Sequence, residues 1–320
     1  MMFRYMLPAV LLLSGMRAFA DSPDLSLKPT DEGVFEFDTG QIQGTIRLDG
    51  AYHGVTRLVD KRTGGQVIDS RYSALNLFKL MSVNQIMDQP RHMERTTQVT
   101  PRWVEAKWSA TDGHKAEITA RYELAAANAI DVTVTVRSQG AYRDYELFMS
   151  NYFDKVLRPH VYLQPRGKGP PQLVVPMVND VFRGTVLVFP RDPHAARLCL
   201  DGRWERNERS TPVVQMCPVR RYAHCLAFLT DPDKQIGVAL MAQPGHCYAI
   251  STRYFADDDA DRLTSYSAFD LSLFGDDLLP GAERTVKVRL ALIPLDGDLE
   301  RPLKVYEEFI AGMHGKGDDE

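Results

Sequence analysis

The chain has 320 residues with 38 basic and 42 acidic side chains, a formal net charge of −4. That mildly acidic, interspersed balance disfavours nucleic acid as a partner, which wants a basic footprint, and gives no polybasic signal for an anionic membrane. The length is enough to bury a large core, as one big β domain or two smaller ones.

The first twenty residues read as a secretory signal peptide. Arg4 supplies a basic start, residues 7–13 an apolar run, and Ala18-Phe19-Ala20 a cleavage site before Asp21. The run is too short to span a bilayer, which takes about 20 residues, and no cysteine follows the cut to carry a lipid. The expectation is an exported protein, periplasmic or secreted, with no stable membrane anchor and a single β domain over 21–320. Losing Arg4 and Arg17 leaves 36 basic against 42 acidic residues, a charge near −6.

Strand periodicity with turn punctuation dominates the rest. Ile42, Gly44, Ile46 and Leu48 alternate with Gln43, Thr45 and Arg47, and Asp49-Gly50 supplies a hairpin turn. Residues 55–60 run into the turn at 61–65. Segments 103–109 and 114–124 flank Thr111-Asp112-Gly113 as another hairpin. Ile130, Val132, Val134 and Val136 mark a half-buried strand with one wet face. Further strands are predicted at 145–153, 186–189, 222–229, 235–242 and 285–293. Residues 75–87 are less regular and apolar, predicting a short helix or a packed loop. Residues 167–171 are the one Gly/Pro-rich break, a long loop or a hinge between two halves. At the end, Leu303, Tyr306, Ile310 and Met313 share one face of a helix over 301–313. Many strands and few helices predict an all-β chain: a large antiparallel β-sandwich with a short C-terminal helix.

All four cysteines, Cys199, Cys217, Cys225 and Cys247, fall between positions 199 and 247, and three disulfide pairings are open beside free thiols. The dipeptides His224-Cys225 and His246-Cys247 invite a metal reading, but neighbouring strand residues point to opposite faces, so no metal is expected. If Cys225 and Cys247 pair across adjacent strands, His224 and His246 share the opposite face.

Two segments carry a family resemblance. Gly40-Gln-Ile-Gln-Gly-Thr-Ile-Arg-Leu-Asp-Gly50, running on to Leu58-Val-Asp-Lys-Arg-Thr-Gly64, resembles the first hairpins of the galactose mutarotase-like (aldose 1-epimerase-like) supersandwich family. Leu271-Ser-Leu-Phe-Gly-Asp-Asp-Leu-Leu-Pro-Gly281, a long strand and then Pro302-Leu-Lys-Val-Tyr-Glu-Glu-Phe309 resemble its last strands. The resemblance implies a supersandwich with a broad concave sheet that holds carbohydrate, and no one chemistry. The family's catalytic histidines and acidic base have no matching motif here, so site roles rest on residue types.

Sugar chemistry needs aromatic faces, forked donors and a titrating group. Period two places Glu146, Phe148, Ser150, Tyr152 and Asp154 on one face, predicted wet, and Tyr145, Leu147, Met149 and Phe153 on the core side. Arg191, Arg203 and Trp204 are candidates to meet around the Asp201-Gly202 turn, where an Arg fork and an indole suit a sugar acid or a hydroxyl pair. Alternatively Arg191-Asp192 is a local ion pair and Trp204 a core residue. His160, His224 and His246 stand in strand contexts where a histidine can titrate; His53, His92, His114, His194 and His314 read as turn, loop or terminal residues. The candidate catalytic set is Glu146, His224, His246 and Tyr152, and the candidate substrate-binding set is Arg191, Arg203, Trp204 and His160. Nucleotide, serine-elbow and zincin motifs are absent, and no cofactor is implied. The leading expectation is an exported carbohydrate-binding or carbohydrate-modifying protein, with epimerase- or lyase-like proton transfer if it is an enzyme. The alternatives are a non-catalytic envelope module for a glycan or a protein, and a purely structural sandwich. A groove with aromatics and arginine but no carboxylate in reach of a histidine points to binding alone.

Overall fold

A computed structural model describes residues 23–85, 87–177, 185–205, 215–253 and 266–314. The predicted leader lies outside them. The chain opens with β1 (Lys28–Asp31), β2 (Val34–Asp38), β3 (Ile42–Arg47), β4 (Gly54–Asp60), β5 (Asn76–Met81), β6 (Thr96–Val99) and β7 (Trp103–Trp108). It continues through β8 (Ala116–Ala126), β9 (Ala129–Ser138), β10 (Tyr142–Ser150), β11 (Tyr152–Phe153), β12 (Arg158–Leu163) and β13 (Gln172–Val174). Then come β14 (Thr185–Pro190), helix α1 (Pro193–Leu198), β15 (Gln215–Pro218), β16 (Tyr222–Thr230), β17 (Ile236–Ala242) and β18 (Cys247–Arg253). The last elements are β19 (Ser267–Leu278), β20 (Glu283–Pro294) and helix α2 (Arg301–His314).

These strands make the expected large antiparallel sandwich. A nine-stranded sheet runs β13-β12-β16-β17-β20-β9-β8-β7-β6, and a seven-stranded sheet runs β15-β14-β18-β19-β10-β5, with β11 paired to β19. Strands β1 to β4 form a separate meander. Among the described residues every strand pairing is antiparallel except β14 with β15. Alternation drives the packing: Val132, Val134 and Val136 of β9 and Val286, Val288 and Leu290 of β20 enter the core. Leu147 and Met149 of β10 and Leu271 and Leu273 of β19 meet them from the facing sheet, and Phe35, Phe37, Ile42 and Ile46 bring in the meander.

Where the prediction over 75–87 departs from the structure, a bulge is the reason. Residues 76–81 are strand β5, not a helix or loop. Its register against β10 shifts between Phe148 and Met149, so Leu77 and Leu80, three apart, both reach the core and period two is broken. The stretch at 167–171 is the loop joining β12 to β13 in one sheet. Helix α2 packs on β16 and β17 with Tyr306 and Phe309 buried, while Leu303, Ile310 and Met313 are half-buried. Beneath it Arg289 of β20 grips the buried Asp131 of β9 at 2.7 and 2.9 Å and lies 4.9 Å over the Phe309 ring. Two histidines predicted for turns or loops, His53 and His114, are fully buried.

Gly54 shows why β4 needs a glycine at its start. Its φ is +99°, and a Cβ there would run into the Ala74 carbonyl oxygen. Gly54→Ala should therefore cost about 2–3 kcal/mol of unfolding free energy, read as a lower urea midpoint at unchanged slope.

Candidate functional site

The candidate site grows from the outer face of the seven-stranded sheet. On β10 the core side takes Tyr145, Leu147 and Met149, as predicted, and the other side takes Glu146, Phe148 and Ser150. That second side is not wet. Helix α1 and the turn at 201–204 cover it, and Phe148, Trp204, Leu198 and Tyr248 pack there as a second apolar cluster. Phe148 and Trp204 meet edge to face at 4.7 Å. Asp192 caps α1 by accepting from the Ala195 amide at 2.9 Å, which sets the direction of the covering segment.

Two of the predicted ligand-binding residues converge here on one predicted catalytic residue. Arg203 donates from Nη1 to Glu146 Oε2 at 3.2 Å and to the Asp144 carbonyl at 2.8 Å. Its other edge forks onto Asp201, Nη2 lying 2.7 Å from Oδ2. Ser272 Oγ donates to Glu146 Oε1 at 2.9 Å, and the Tyr248 hydroxyl bonds the same carboxyl. A bulge between Tyr145 and Glu146, with Asp144 at φ +50°, aims this group. Gly275 makes room opposite: at φ +84°, a Cβ would come 2.6 Å from Tyr248 Cδ1. Burial raises the Glu146 pKa although Arg203 pulls the other way. Lys79 completes the cluster. Its Nζ is buried, has no hydrogen-bond partner among the described residues and lies 4.8 Å over the Trp204 ring. Burial lowers the Lys79 pKa against the pull of Glu146.

One strand-length further along the same face the chemistry changes. Register aligns Asn76 of β5, Ser150 of β10, Asp270 of β19 and Ser251 of β18 as one row across four strands. Asn76 Nδ2 donates to Ser150 Oγ at 3.2 Å, but Asn76 Oδ1 and Ser251 Oγ are buried with no partner among the described residues. Among the described residues Asp270 accepts one backbone bond, from Asn151 at 3.0 Å. Burial pushes its carboxyl up to about 7, against that bond and the pull of Arg253.

Four tyrosines gather beside Asp270. Tyr72 lies 5.0 Å from Tyr52, 4.6 Å from Tyr152 and 5.6 Å from Tyr266, ring centre to ring centre, and Tyr152 lies 5.0 Å from Tyr266. All four residues are partly exposed, although the Tyr152 and Tyr266 hydroxyls are themselves buried. Arg71, clamped to Asp69 at 2.7 Å, stands 5.1 Å over Tyr72. The Tyr152 hydroxyl bonds Ser150 and the Tyr266 hydroxyl bonds Arg253, tying the rings to the polar row. Burial raises the Tyr152 pKa, so its phenol stays protonated.

The other predicted residues lie elsewhere. His224 projects from the outer side of the nine-stranded sheet between Tyr162 and Tyr306, with the whole core between it and Glu146. Burial lowers its pKa. His246 ends the short turn at Pro244–His246, so the two histidines share no face. Their cysteines sit on facing sheets, not on adjacent strands. His160 stacks on Phe228 at 4.8 Å and bonds the Arg158 carbonyl within its own strand. Arg191 pairs with Asp192 at 2.8 Å and donates to the Gly245 carbonyl at 2.9 Å, away from Arg203. Tyr52, Tyr72, Tyr266 and Asp270 are absent from the sequence reading. The signal for Asp270 was present: Ala268, Asp270 and Ser272 alternate with Phe269, Leu271 and Leu273, a polar row on a strand whose other face is apolar.

Two expectations follow. Arg203→Met should cost about 3–5 kcal/mol by stranding the Glu146 carboxylate, and adding Glu146→Gln should recover part of it; urea denaturation of both variants measures this. For Asp270, the folded value lies above that of an unfolded carboxyl, near 4. Its stabilising contribution is then complete below about pH 4 and is lost as pH climbs through 7. Relative to Asp270→Asn, the native chain should lose roughly 2–4 kcal/mol between pH 4 and 8.

No family model matches the chain, and no curated protein matches it. Among solved structures it is similar to a Synechocystis protein at TM-score 0.47 and 11% identity, over 87% of this chain and 100% of that one. It is similar to an aldose epimerase homologue from C. elegans at TM-score 0.47 and 9% identity, over 81% of this chain and 97% of that one. A heparan sulfate lyase from Pedobacter heparinus aligns at TM-score 0.46 and 6% identity, over 85% of this chain and 37% of the lyase.

Proposed function

We propose that this chain is an exported carbohydrate-binding protein whose ligand lies against Tyr52, Tyr72, Tyr152 and Tyr266. The observation that carries the reading is the gathering of four partly exposed tyrosines around one buried carboxyl. Tyrosine faces suit the C–H surfaces of a sugar ring, and their hydroxyls suit its oxygens. The unpartnered Asn76 Oδ1 and Ser251 Oγ in the adjoining row add acceptor capacity for sugar hydroxyls. The family resemblance at both ends of the sequence points to the same ligand class.

Asp270 favours a second, catalytic reading. A carboxyl that titrates near neutral pH can both take and return a proton, the requirement for ring opening or for abstraction beside a uronate carboxylate. Tyr152, held protonated and close enough to feel the charge of Asp270, is the candidate proton donor in that reading. Among the described residues the groups acting on Asp270 are Asn151 and Arg253, and no histidine is among them. By the criterion set out from sequence, that composition favours binding over epimerase-type chemistry.

Thermal unfolding against neutral, amino and uronic sugars and their oligomers tests the proposal. A ligand at a hundred times its dissociation constant adds about 2.7 kcal/mol. A selective rise is expected for at least one sugar class, and Tyr72→Ala and Tyr152→Ala should each remove it. No rise anywhere on the panel, or a rise that both variants keep, overturns the proposal. If the protein turns its ligand over, Asp270→Asn should keep the thermal shift and lose turnover.

A further inference from the structure

Cys225 of β16 and Cys247 of β18 are both completely buried and belong to different sheets. Strands β16 and β18 pack face to face, and the two thiols lie close enough to share a hydrogen bond. The backbone is held on both sides of the contact. Tyr222 on β16 donates its hydroxyl to the Cys247 carbonyl at 2.7 Å, and the Cys225 amide donates to the Tyr306 hydroxyl of α2 at 3.3 Å. The remaining cysteines are elsewhere. Cys199 lies in the cluster on the opposite face of the seven-stranded sheet, its thiol donating to the Ala195 carbonyl at 3.4 Å, and Cys217 lies on the edge strand β15.

We propose that Cys225 and Cys247 are a covalent modification site: under a disulfide oxidant they form one bond that staples the two large sheets together. With oxidised glutathione as oxidant, one cysteine thiolate attacks the glutathione disulfide. A mixed disulfide forms and one glutathione thiolate leaves. The second cysteine thiolate then displaces the other glutathione. Two S–H bonds and one S–S bond are broken, one S–S bond is made between the cysteines, and both protons end on the two reduced glutathiones. The cysteine pair loses the two electrons that glutathione gains. Full burial bars the oxidant from the closed sandwich and pushes the Cys247 thiol well above its usual range. Exchange therefore belongs to the folding chain, before the sheets close, and the finished bond is shielded from later reduction.

The staple would anchor β18, the strand that carries Ser251 and Arg253 beside Asp270. It rests on the core contact alone and stands whether or not a carbohydrate binds. The two cysteines fall on separate tryptic peptides, 222–234 and 235–253.

The experiment is refolding of the reduced, denatured chain in a mixture of reduced and oxidised glutathione, followed by alkylation, tryptic digestion without reductant and mass spectrometry. The expected product links peptides 222–234 and 235–253, and the oxidised chain should show a higher urea midpoint than the reduced one. Cys225→Ser and Cys247→Ala should each abolish both signals, and Cys199→Ser should keep them. Complete alkylation of Cys225 and Cys247 after oxidative refolding overturns the proposal, as does a dominant link from either to Cys199 or Cys217. The peptide readout on the unaltered chain decides the matter even where a variant fails to fold.

Discussion

Strands β10 and β19 are covered on both faces, and that constraint governs the rest of the site. A strand with one wet face can carry polar side chains at no cost, but a strand covered twice must find each of them a partner. Glu146 meets the demand through Arg203, Ser272 and Tyr248. Arg203 in turn needs Asp201 and the Asp144 carbonyl, which requires the turn at 201–204 to lie over the sheet and α1 to lead into it. One buried carboxyl thus accounts for the position of a whole covering segment. Asn151 plays the same part at the other end, accepting from Leu75 at 2.7 Å and donating to Asp270.

The ion pair is a poor explanation of stability. Taking two charges from water costs several kcal/mol each, and an apolar pair of similar volume is often neutral or better. Its effect is on geometry. A guanidinium fork accepts few orientations, so a loop anchored by one cannot slide across an apolar surface as a leucine-anchored loop can. The covering segment is fixed relative to β10 and hence to the polar row further along the same strand.

Much of this was legible in the sequence. Alternation along β3, β9 and β20 gives both the strands and their core faces, since the side-chain period and the burial period largely coincide there. Along β10 it gives the core face, but the opposite face, read as wet, is covered. The helix at the C-terminus was readable for the same reason at period 3.6. Strand β5 was not, because a bulge puts Leu77 and Leu80 on one side at a helical spacing. The pairing of Arg203 and Trp204 with Glu146 was partly legible. Residue type marked each of them, but no periodicity links position 146 to position 203, and only the long-range fold does so. The tyrosine cluster draws Tyr52 and Tyr72 from loops, Tyr152 from a two-residue strand and Tyr266 from a strand entrance. Loops carry no period, so their convergence was invisible. The duplicated His-Cys dipeptide misled by analogy: the cysteines do meet, but across the core, which sends their histidines to different surroundings.

Glu146 and Asp270 on the outer face are both raised by burial, but they are held very differently. Glu146 is held by a guanidinium and two hydroxyls, so moving its proton would disturb three partners at once and expose an unpaired Arg203. Among the described residues Asp270 has one backbone donor, a cation nearby and a neighbouring row with Asn76 Oδ1 and Ser251 Oγ unpartnered. A proton on Asp270 therefore leaves without dismantling a network, and under the proposed reading a ligand hydroxyl would find Asn76 and Ser251 as partners. The same sheet face therefore holds two differently satisfied carboxyls. Full satisfaction at Glu146 fixes the scaffold, and among the described residues the row beside Asp270 and the tyrosine cluster keeps unfilled hydrogen-bonding capacity.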